Sequence, residues 1–499
     1  MGRPGEGETA PIHARPRVAC EIAPPTMAEG LATTFGTALR KDAGYALVGL
    51  VSAALPLVFL RGFTVDDALI IARYAANVAA GEGHRFHPSA DPSDGVTPFG
   101  LAYLMAPLAR EGVLAGFYAL RAVGVIAWLF AAAALGIAVG RASSHPLRFA
   151  SLLLVATSAP LAAWSIAGLE TGLATAFATL AVVLPRGLTS SLVGALFAGL
   201  VAWLRPEALP FALVLGAGRG HALARARPAH RRRAAYAQPL LLAASPFVLV
   251  AVARVFLWGS PLPLSALAKP SDFTLGLKYA LACALLTGGP IAAFAPEAFR
   301  KLDAYPRFVL LAGYVHFGAV ALAGGDWMPL SRLVVPALPA FVYVTAHLLS
   351  TPKPAIPLAR LGLALVGTLF VLLRVGPVAA RVLDDRLALV ESAREALVGL
   401  DRVASVDIGW LGAATQAPII DLAGVTDPEI AALPGGHTSK TISPTMLARR
   451  DVDAVLLLDP PRIVEARLLR DPDFTDRYAP TWQSPPDLPV KYVLWRRNP

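Results

Sequence analysis

Two adjacent aspartates, Asp66 and Asp67, follow a run of apolar residues that is long enough to cross a membrane. Carboxylates beside a bilayer are unfavourable unless they are paired, hydrogen-bonded or used in chemistry. One carboxylate can take a proton from a hydroxyl group, and two together can bind a divalent cation. The structural alternative is that Asp66 caps a helix and Asp67 is a solvated surface charge.

The residues after the two aspartates have the spacing of an amphipathic helix. At 100° per residue, Asp66, Arg73 and Asn77 fall on one stripe, and Asp67 and Tyr74 lie on the neighbouring face. Because charges interrupt the apolar positions, we expect this helix to lie in the membrane interface rather than to cross it. A helix of this kind can position a base and hold an anionic group.

The rest of this loop, "GEGHRFHPSADPSDGVTPFG", is long and rich in Gly, Pro and Asp. Long irregular loops on a rigid scaffold usually have a function. His84 and His87 have a spacing that metal ligands use, but no second ligand cluster accompanies them. The sequence therefore leaves the metal unknown, with a divalent cation possible and no other cofactor required.

The composition indicates a membrane protein. Of 499 residues, 56% are hydrophobic and 16% are charged, whereas soluble domains are about 45–50% apolar and about 25% charged. The net charge of +10 comes from short basic loops between apolar runs, so a nucleic-acid partner is not expected. Two cysteines do not form a disulfide framework.

Eleven apolar runs are candidate transmembrane helices: 44–63, 113–140, 149–163, 171–185, 188–204, 206–218, 237–258, 275–296, 308–324, 328–349 and 358–378. The charged break "RPE" at 205–207 favours two helices over one long kinked helix across 188–218. We expect 97–109 to be a half-helix that leads into the second span. Residues 1–43 are polar and Pro-rich, which predicts a disordered cytoplasmic tail.

Basic residues orient these spans. With the N-terminus inside, most dense clusters of Arg and Lys, including 218–233, fall in cytoplasmic loops. The C-terminus then lies outside, and the first extracytoplasmic loop is 64–98. We expect a multi-pass protein of a bacterial cytoplasmic (inner) membrane, with membrane lipids as partners. The 218–233 loop is either a topology determinant or a patch for lipid headgroups or nucleic acid, and the first is favoured.

The character of the chain changes after Arg381. Four strand-like runs, separated by Pro, Gly and Asp, lie at 403–410, 417–424, 453–459 and 491–497. The predicted organisation is a tail over 1–43, a transmembrane domain over 44–380 and an extracytoplasmic α/β domain over 381–499.

The motifs on the outside face resemble those of GT-C glycosyltransferases, and within them the branch of terminal arabinofuranosyltransferases. The resemblance rests on "DDALIIARYAANVAAGEG", "TPFG", "SIAGLET", "RPE", "PLPLSALAK", "GGDWMPLSR" and the C-terminal "IIDLAGVTDPEIA". It implies a GT-C fold of about 11 transmembrane helices with a small extracytoplasmic α/β domain. It also implies inverting-type transfer of a sugar, possibly arabinofuranose, from a polyprenyl-phosphate donor to a cell-envelope glycan, lipid or protein.

The resemblance assigns roles to residues of these motifs. Asp66 is the expected base, with Asp67 beside it as a second catalytic carboxylate. The donor phosphate would bind the cations Arg73, Arg205, Lys269 and Arg332, and the sugar or acceptor would bind Tyr74, Asn77, Glu170, Glu207, Asp326 and Trp327. Glu170, Arg205 and Glu207 could instead form a structural ion pair at a helix end.

Two other functions fit a multi-pass protein. A transporter or flippase of a lipid-linked or anionic substrate would need charges near the bilayer midplane and symmetric halves, which the sequence does not contain. A membrane scaffold that presents the C-terminal domain would leave the charged loop motifs without a role.

Overall fold

The computed structural model describes residues 27–287, 300–351 and 354–499. The chain forms two compact units, Met1–Gly44 and Tyr45–Pro499. Residues 1–26 of the tail that we predicted to be disordered lie outside the described residues, and the remainder of that tail, from Met27, is helical. The second unit contains the candidate site and the C-terminal sheet.

Helices make up most of the described chain as far as residue 396. In chain order they are α1 (Met27–Phe59), α2 (Asp67–Ala79), α3 (Leu101–Met105), α4 (Val113–Ala142), α5 (Leu152–Thr157), α6 (Ala159–Ile166), α7 (Thr171–Val183), α8 (Leu188–Leu204), α9 (Leu209–Arg225), α10 (Arg232–Trp258), α11 (Leu264–Ala268), α12 (Phe273–Thr287), α13 (Ala304–Leu322), α14 (Leu338–Leu349), α15 (Ala355–Ala379) and α16 (Val382–Ala396). The helix α2, whose apolar positions are interrupted by Asp67, Arg73 and Asn77, is not among the segments that are long and apolar enough to cross a membrane.

Six helical segments among the described residues are long and apolar enough to cross a membrane: Arg40–Phe59, Val113–Ala142, Ala229–Trp258, Ala304–Leu322, Arg332–Leu349 and Pro357–Ala396. The α5–α6 region, bent by 52°, can form a seventh. In the part of the chain that the structure describes, each of the eleven predicted runs overlaps a helix or a helix pair. The helices α7, α8, α9 and α12 each have fewer than 18 described residues. The fold class, a helical multi-pass membrane protein with a small C-terminal α/β region, is confirmed.

The predicted break between α8 and α9 is present. Arg205 has an extended backbone, and Pro206–Ala208 form one 3-10 turn before α9 begins. Between 97 and 109 the chain forms the short helix α3 and a 3-10 turn rather than a span. Both irregular segments therefore bring polar groups to helix ends.

Close helix contacts depend on glycine. A Cβ atom on Gly49 of α1 would lie 2.1 Å from the carbonyl oxygen of Ala132, and one on Gly136 of α4 would lie 2.2 Å from that of Tyr45. Small residues let membrane helices approach until their backbones touch, which adds van der Waals contact where no hydrophobic driving force exists. The Ala- and Gly-rich composition thus determines how tightly α1 and α4 pack.

The C-terminal region carries a five-stranded sheet with the order β2-β1-β3-β5-β4. Its strands are β1 (Val403–Ser405), β2 (Ile419–Asp421), β3 (Ala454–Asp459), β4 (Tyr478–Gln483) and β5 (Lys491–Arg497). The pairs β1–β2 and β1–β3 are parallel, while β5 runs antiparallel to β3 and β4. The helices of this region are α17 (Ile408–Ala414), α18 (Pro428–Ala431), α19 (Pro444–Arg449), α20 (Ile463–Leu469) and α21 (Pro472–Arg477).

Candidate functional site

Five charged side chains from five separate segments line one small cavity. They are Asp67 at the start of α2, Glu170 before α7, Arg205 after α8, Lys269 after α11 and Arg332 before α14. Each lies where an apolar helix ends or begins, so the helix bundle brings them to the same end. The sequence had singled out all five, and they form the candidate site.

Arg332 is shared between two carboxylates. Its Nε lies 2.6 Å from Oδ2 of Asp326, and its Nη1 lies 3.6 Å from Oδ2 of Asp67. Burial opposes ionisation of Asp326, but the positive charges of Arg332 and Lys269 outweigh burial and lower its pKa. Asp326 therefore stays charged and orients Arg332, while Asp67 keeps the looser contact.

Arg205 forms a second ion-pair cluster. Its Nε is 2.9 Å from Oε1 of Glu170, its Nη1 is 3.7 Å from Oε1 of Glu207, and its Nη2 donates to Oγ1 of Thr171 at 3.0 Å. Oε1 of Glu207 is buried and accepts no hydrogen bond from the described residues. The structural ion pair considered from the sequence is present, and Glu170 and Arg205 also face the cavity.

Lys269 is the cation of the cavity that has the fewest protein partners. It is half-buried, and among the described residues no carboxylate lies within 4.0 Å of its ammonium group. Nearby, the hydroxyl groups of Thr97 and Ser265 are hydrogen-bonded at 3.0 Å, which joins the first loop to α11. The lining groups enclose about 50 Å³.

Asp66 points away from this group of residues and binds the C-terminal region. Its Oδ1 accepts the backbone N–H of Trp410 at 2.8 Å, and its Oδ2 accepts that of Gly409 at 3.0 Å. These amides belong to the first turn of α17, whose own preceding residue, Asp407, gives no side-chain cap. Asp66 does not cap its own helix α2 either. Asp66 is thus a helix cap, as the structural alternative proposed, but of a helix about 340 residues away in sequence.

Arg73 holds the other end of α17. Its Nη1 donates to the carbonyl oxygens of Gly412 at 2.6 Å and Thr415 at 3.4 Å. Its Nε donates to the carbonyl oxygen of Phe86 at 2.9 Å, and burial lowers its pKa to about 10. The structure therefore does not bring Arg73 to the cavity as a phosphate ligand, because its donors are used by backbone carbonyls at a helix C-terminus.

The two contacts form a clamp, defined here as Asp66 and Arg73 of the first loop bound to the two ends of α17. Two glycines of α17 make it possible, since a Cβ on Gly409 would lie 2.1 Å from the backbone oxygen of Asp66 and one on Gly412 would lie 2.8 Å from Nη1 of Arg73. The clamp fixes α2, which carries Asp67 at its first position.

Charged groups next to α17 determine the protonation of Asp66 in the clamp. Burial and the negative charge of Asp407 raise the pKa of Asp66 to about 8, although the two amide hydrogen bonds act in the opposite direction. Burial also opposes ionisation of Asp407, but Arg462, bidentate at 2.9 Å to both oxygens, lowers the pKa of Asp407. Tyr492 also donates to Asp407. Asp407 is therefore the charged member of the pair.

Tyr74 and Asn77 support the loop rather than line the cavity. The hydroxyl group of Tyr74 is 2.9 Å from that of Ser93, and Ser93 donates to the carbonyl oxygen of Thr426 at 2.9 Å. The amide of Asn77 donates to the carbonyl oxygens of Arg85 and Phe86. Tyr74 and Asn77 thus contact other parts of the protein, and their binding of a sugar or acceptor stays a prediction.

The C-terminal region also contributes to the cavity. Val425 lines it, and the adjacent turn is held by Asp421, which accepts N–H groups of Ala423 at 2.8 Å and Thr426 at 2.7 Å. Burial raises the pKa of Asp421 to about 6 in spite of these bonds. The sequence motif "IIDLAGVTDPEIA" thus reaches the site through its turn.

The exposed Trp327 and the half-buried His437 form an aromatic pair next to Asp326. Their ring centroids are 5.8 Å apart, and Trp327 is 52% exposed. Burial lowers the pKa of His437 to about 3, with the charge of Lys269 adding to the shift, so its ring is neutral at pH 7. Because Trp327 is exposed, a sugar ring can stack on it. The sequence contained no signal that would have pointed to His437.

Sequence reasoning also missed the anchor of the first loop. Asp94 and Arg254 form a buried ion pair with Oδ2 and Nε 2.7 Å apart, and Arg254 also donates to the carbonyl oxygen of Thr97 at 2.5 Å. Arg254 lies on α10, so this pair attaches the cavity wall to a membrane helix. The sequence did contain one signal for this ion pair, because an arginine such as Arg254 within an apolar helix needs a partner.

The histidines of the first loop do not converge on a metal site. His87 contacts the hydroxyl group of Ser89 and the carbonyl oxygen of Gln416, and His84 is buried among aromatic rings, including Tyr74 at 4.7 Å. The described residues contain no group of three or more His, Cys, Asp and Glu that could hold a metal ion. Asp66 and Asp67 have different partners, so their carboxylates do not form a shared cation site.

Comparisons with known proteins give limited matches. Residues 382–495 match a family model described as "Domain of unknown function (DUF8728)". No curated protein matches the chain. Among solved structures the chain is similar to the cryo-EM structure of arabinosyltransferase EmbB from Mycobacterium smegmatis, at 14% identity and a TM-score of 0.37. The match covers 83% of this chain and 44% of that one, so this chain spans less than half of the length of EmbB. A TM-score of 0.37 does not establish a common fold.

Proposed function

We propose that the protein transfers a sugar from a polyprenyl-phosphate donor to a hydroxyl group of a cell-envelope acceptor. The observation that carries this proposal is that Asp67 shares one cavity with three cations, Arg205, Lys269 and Arg332. A carboxylate base next to a cluster of cations is the combination that displacement of a phosphate leaving group needs. The cavity adjoins the ends of membrane helices, where a lipid-linked donor would present its headgroup.

Asp67 is the proposed general base. Its carboxylate has one charged partner at 3.6 Å, whereas both oxygens of Asp66 accept backbone N–H groups. In the reaction, Asp67 takes the proton of the acceptor hydroxyl group and the acceptor oxygen attacks the anomeric carbon. The bond between that carbon and the phosphate oxygen breaks at the same time. Attack from the face opposite the phosphate inverts the configuration at this carbon.

The cations would stabilise the charge that develops on the leaving polyprenyl phosphate. Lys269 is the first candidate because no described carboxylate is paired with it, and Arg205 and Arg332 keep further N–H donors besides those used by Glu170 and Asp326. Arg205 and Arg332 are each paired with carboxylates, so Lys269 supplies the positive charge that has no carboxylate partner among the described residues. No step requires a metal ion, although a divalent cation delivered with the donor remains compatible with the chemistry.

The sugar and the acceptor would bind around this centre. Glu170, Glu207 and Asp326 carry acceptor oxygens for sugar hydroxyl groups, and Trp327 offers an aromatic face. The space of about 50 Å³ is smaller than the roughly 300–1,000 Å³ of typical ligand pockets, so binding requires the walls to separate. The wall formed by Thr97 and Ser265 is joined by their hydroxyl–hydroxyl bond and by the backbone bond from Leu264 to Asp94, and we expect the opening there.

The site faces the extracytoplasmic side in this proposal, because the positive-inside rule puts the ends of the helices that carry it outside. The membrane would be the inner membrane of a bacterium. Arabinofuranose is the proposed sugar on the basis of the motif resemblance, and the acceptor is a glycan, lipid or protein of the envelope.

The test is transfer of radiolabelled sugar from a panel of synthetic polyprenyl-phosphate sugars in membranes that contain the protein. Lys269→Gln should lower transfer with each active donor by about 10- to 100-fold, because a charge-assisted contact to phosphate contributes about 1.5–3 kcal/mol. Arg110→Gln, at an exposed arginine outside the cavity, is the matched control. Transfer by wild type that Lys269→Gln leaves unchanged would refute the phosphate site. Folded protein without transfer from any donor would favour the transporter instead.

A further inference from the structure

One turn of the C-terminal region, over residues 436–439, carries His437. The backbone N–H of Ser439 donates to the carbonyl oxygen of Gly436 at 2.8 Å, and the hydroxyl group of Ser439 accepts the N–H of Gly436 at 3.0 Å. Gly435 precedes the turn with a φ of 98°, and a Cβ atom there would lie 2.5 Å from the carbonyl oxygen of Ser439. Because glycine is the residue that adopts this conformation at so close an approach, the shape of the turn is determined locally.

Two basic side chains attach this turn to the rest of the C-terminal region. The side chain of Lys440 is buried, and its ammonium group donates to the carbonyl oxygens of Ala431 and Leu433, both at 2.7 Å. The guanidinium of Arg467 donates to the carbonyl oxygen of Ser439 at 2.5 Å. Hydrogen bonds from charged donors are stronger than those between neutral groups. The turn is therefore a fixed support for the imidazole that it carries.

The imidazole of His437 lies against the indole of Trp327, which belongs to the loop between α13 and α14. The ring centroids are 5.8 Å apart and the ring planes are tilted by 45°. Lys269 and Arg332 are near enough for their positive charges to add to the effect of burial on the pKa of His437. Its Nε2 is buried and makes no hydrogen bond to the described residues. A buried polar atom without a partner is unfavourable, so this nitrogen next to the candidate site indicates a ligand contact.

One arginine connects the aromatic pair to the proposed base. Asp326 directly precedes Trp327, and its Oδ2 lies 2.6 Å from Nε of Arg332. On the same guanidinium group, Nη1 lies 3.6 Å from Oδ2 of Asp67. The residue next to Trp327 and the base therefore contact a single guanidinium group. A sugar ring held by the aromatic pair can present a hydroxyl group to Asp67.

The two rings together are suited to a sugar. The exposed indole offers an apolar face, on which the C–H groups of a sugar ring can stack. The imidazole is neutral at pH 7, because its pKa is about 3, and a neutral imidazole has one nitrogen that donates and one that accepts. Sugar hydroxyl groups can serve either nitrogen. An anion would instead bind the charged Lys269.

We propose that Trp327 and His437 form the subsite for the acceptor, in which the indole stacks on a sugar ring and the imidazole hydrogen-bonds to a hydroxyl group of that ring. This inference rests on the proposed glycosyl transfer. The acceptor is favoured over the donor sugar, because the donor is attached to the membrane by its lipid, whereas His437 belongs to the C-terminal region. Since Nε2 is shielded in this structure, binding includes a movement of the exposed indole.

The first experiment measures binding without a donor, by saturation-transfer NMR of the full-length protein in nanodiscs. The probes are methyl α-D-arabinofuranoside, methyl β-D-galactofuranoside and methyl α-D-mannopyranoside, each added alone. His437→Leu should weaken the binding of each glycoside that wild type binds by about 3- to 10-fold, the contribution of one hydrogen bond.

Two variants separate hydrogen bonding from packing. His437→Gln keeps a donor and an acceptor and should recover most of the affinity, whereas a ring that only packs would be replaced better by Leu. His230→Leu, at an exposed histidine before α10, is the matched control and should bind as wild type does. Equal affinity of His437→Leu and His230→Leu, or no binding of any glycoside by wild type, would overturn the proposal.

The second experiment uses a donor that supports transfer, with the bound glycoside as acceptor. His437→Leu should raise the KM for the acceptor by the same factor and leave the KM for the donor unchanged. A rise in the KM for the donor alone would assign the pair to the donor sugar and overturn the proposal. Transfer with an unchanged acceptor KM would also overturn it but would leave the proposed function intact. Glycoside binding that His437→Leu weakens, in a protein that transfers no sugar, would support the sugar subsite and refute the reaction alone.

Discussion

Replacement of Asp66 by Ala should release α17 from the first loop. The carboxylate of Asp66 accepts two backbone N–H groups, those of Gly409 and Trp410, and both residues are buried. Loss of a capping side chain costs about 0.5–2 kcal/mol, and each buried donor left without an acceptor costs about 1–3 kcal/mol. The two costs describe the same pair of hydrogen bonds and are therefore not added together.

The net cost of the Asp66→Ala change is therefore expected to be about 1.5–3 kcal/mol of local stability. This corresponds to a roughly 10- to 100-fold increase in the opening of α17, since about 1.4 kcal/mol is a factor of ten. Hydrogen exchange of the full-length protein in nanodiscs, followed by mass spectrometry of peptides that cover 406–416, measures this opening. Peptides from the transmembrane helices report whether the remainder of the fold is intact.

Asp66→Asn retains one acceptor oxygen and should give an intermediate loss of protection. Glu82→Ala, an exposed carboxylate just after α2, is the matched control and should leave exchange of 406–416 unchanged. If Asp66→Ala exchanges at the wild-type rate over 406–416, the clamp does not hold α17 and the assignment of Asp66 as its cap is wrong.

Three further predictions concern the same region. First, exchange protection of 406–416, corrected for intrinsic rates, should fall as pH rises, because the pKa of Asp66 is raised from 3.8 to about 8. The contribution of Asp66 to stability is fully present below about pH 4 and is lost as pH rises through 8. Asp66→Asn should abolish this pH dependence. Second, Gly409→Ala should destabilise docking by about 1–3 kcal/mol by the same assay, because its Cβ would lie 2.1 Å from a backbone oxygen, whereas Gly362→Ala, with no atom within 4 Å, should not. Third, Asp94→Leu should expose 92–98 to added protease and lower the free energy of unfolding by about 3–5 kcal/mol, because it leaves Arg254 buried without its partner. A double variant, Asp94→Leu with Arg254→Met, should recover part of this loss.

The cavity could be predicted from the sequence because topology determines which residues meet. Glu170, Arg205, Lys269 and Arg332 each adjoin the end of an apolar run on the face that the basic loops leave outside. Charges at helix ends on one side of a bundle of limited width must lie near one another. The helical character of 67–79 followed for a similar reason, because its polar positions recur at the helical period.

The sequence could not predict which of the two carboxylates, Asp66 or Asp67, faces the cavity. Neighbouring residues on a helix differ by 100° in direction, so the rotation of α2 decides which carboxylate faces the cavity. That rotation depends on the docking of α17, whose glycines lie far away in sequence and carry no local sign of their partner. The contacts of Arg73 could not be predicted for the same reason, because its carbonyl partners belong to the end of α17.

In the C-terminal region, the runs with continuous apolar residues were recognised as strands, whereas β4 was not. Its sequence, "YAPTWQ", contains Pro480 and mixed exposure, and proline is tolerated there because β4 pairs with one neighbour only, at the edge of the sheet. An edge strand has a weaker period-two pattern than a central one, since one side of it has no neighbouring strand.

The measurement that tests the central claim most directly compares sugar transfer by Asp67→Asn and Asp66→Asn, both shown to be folded, with an active polyprenyl-phosphate donor. The account predicts that Asp67→Asn lowers the rate of transfer by about 10²- to 10⁴-fold, the contribution of a general base. Asp66→Asn should lower it far less, and in proportion to the loss of α17 protection. Full activity of Asp67→Asn together with loss of activity in an Asp66→Asn variant that keeps α17 protected would contradict the account and make Asp66 the base.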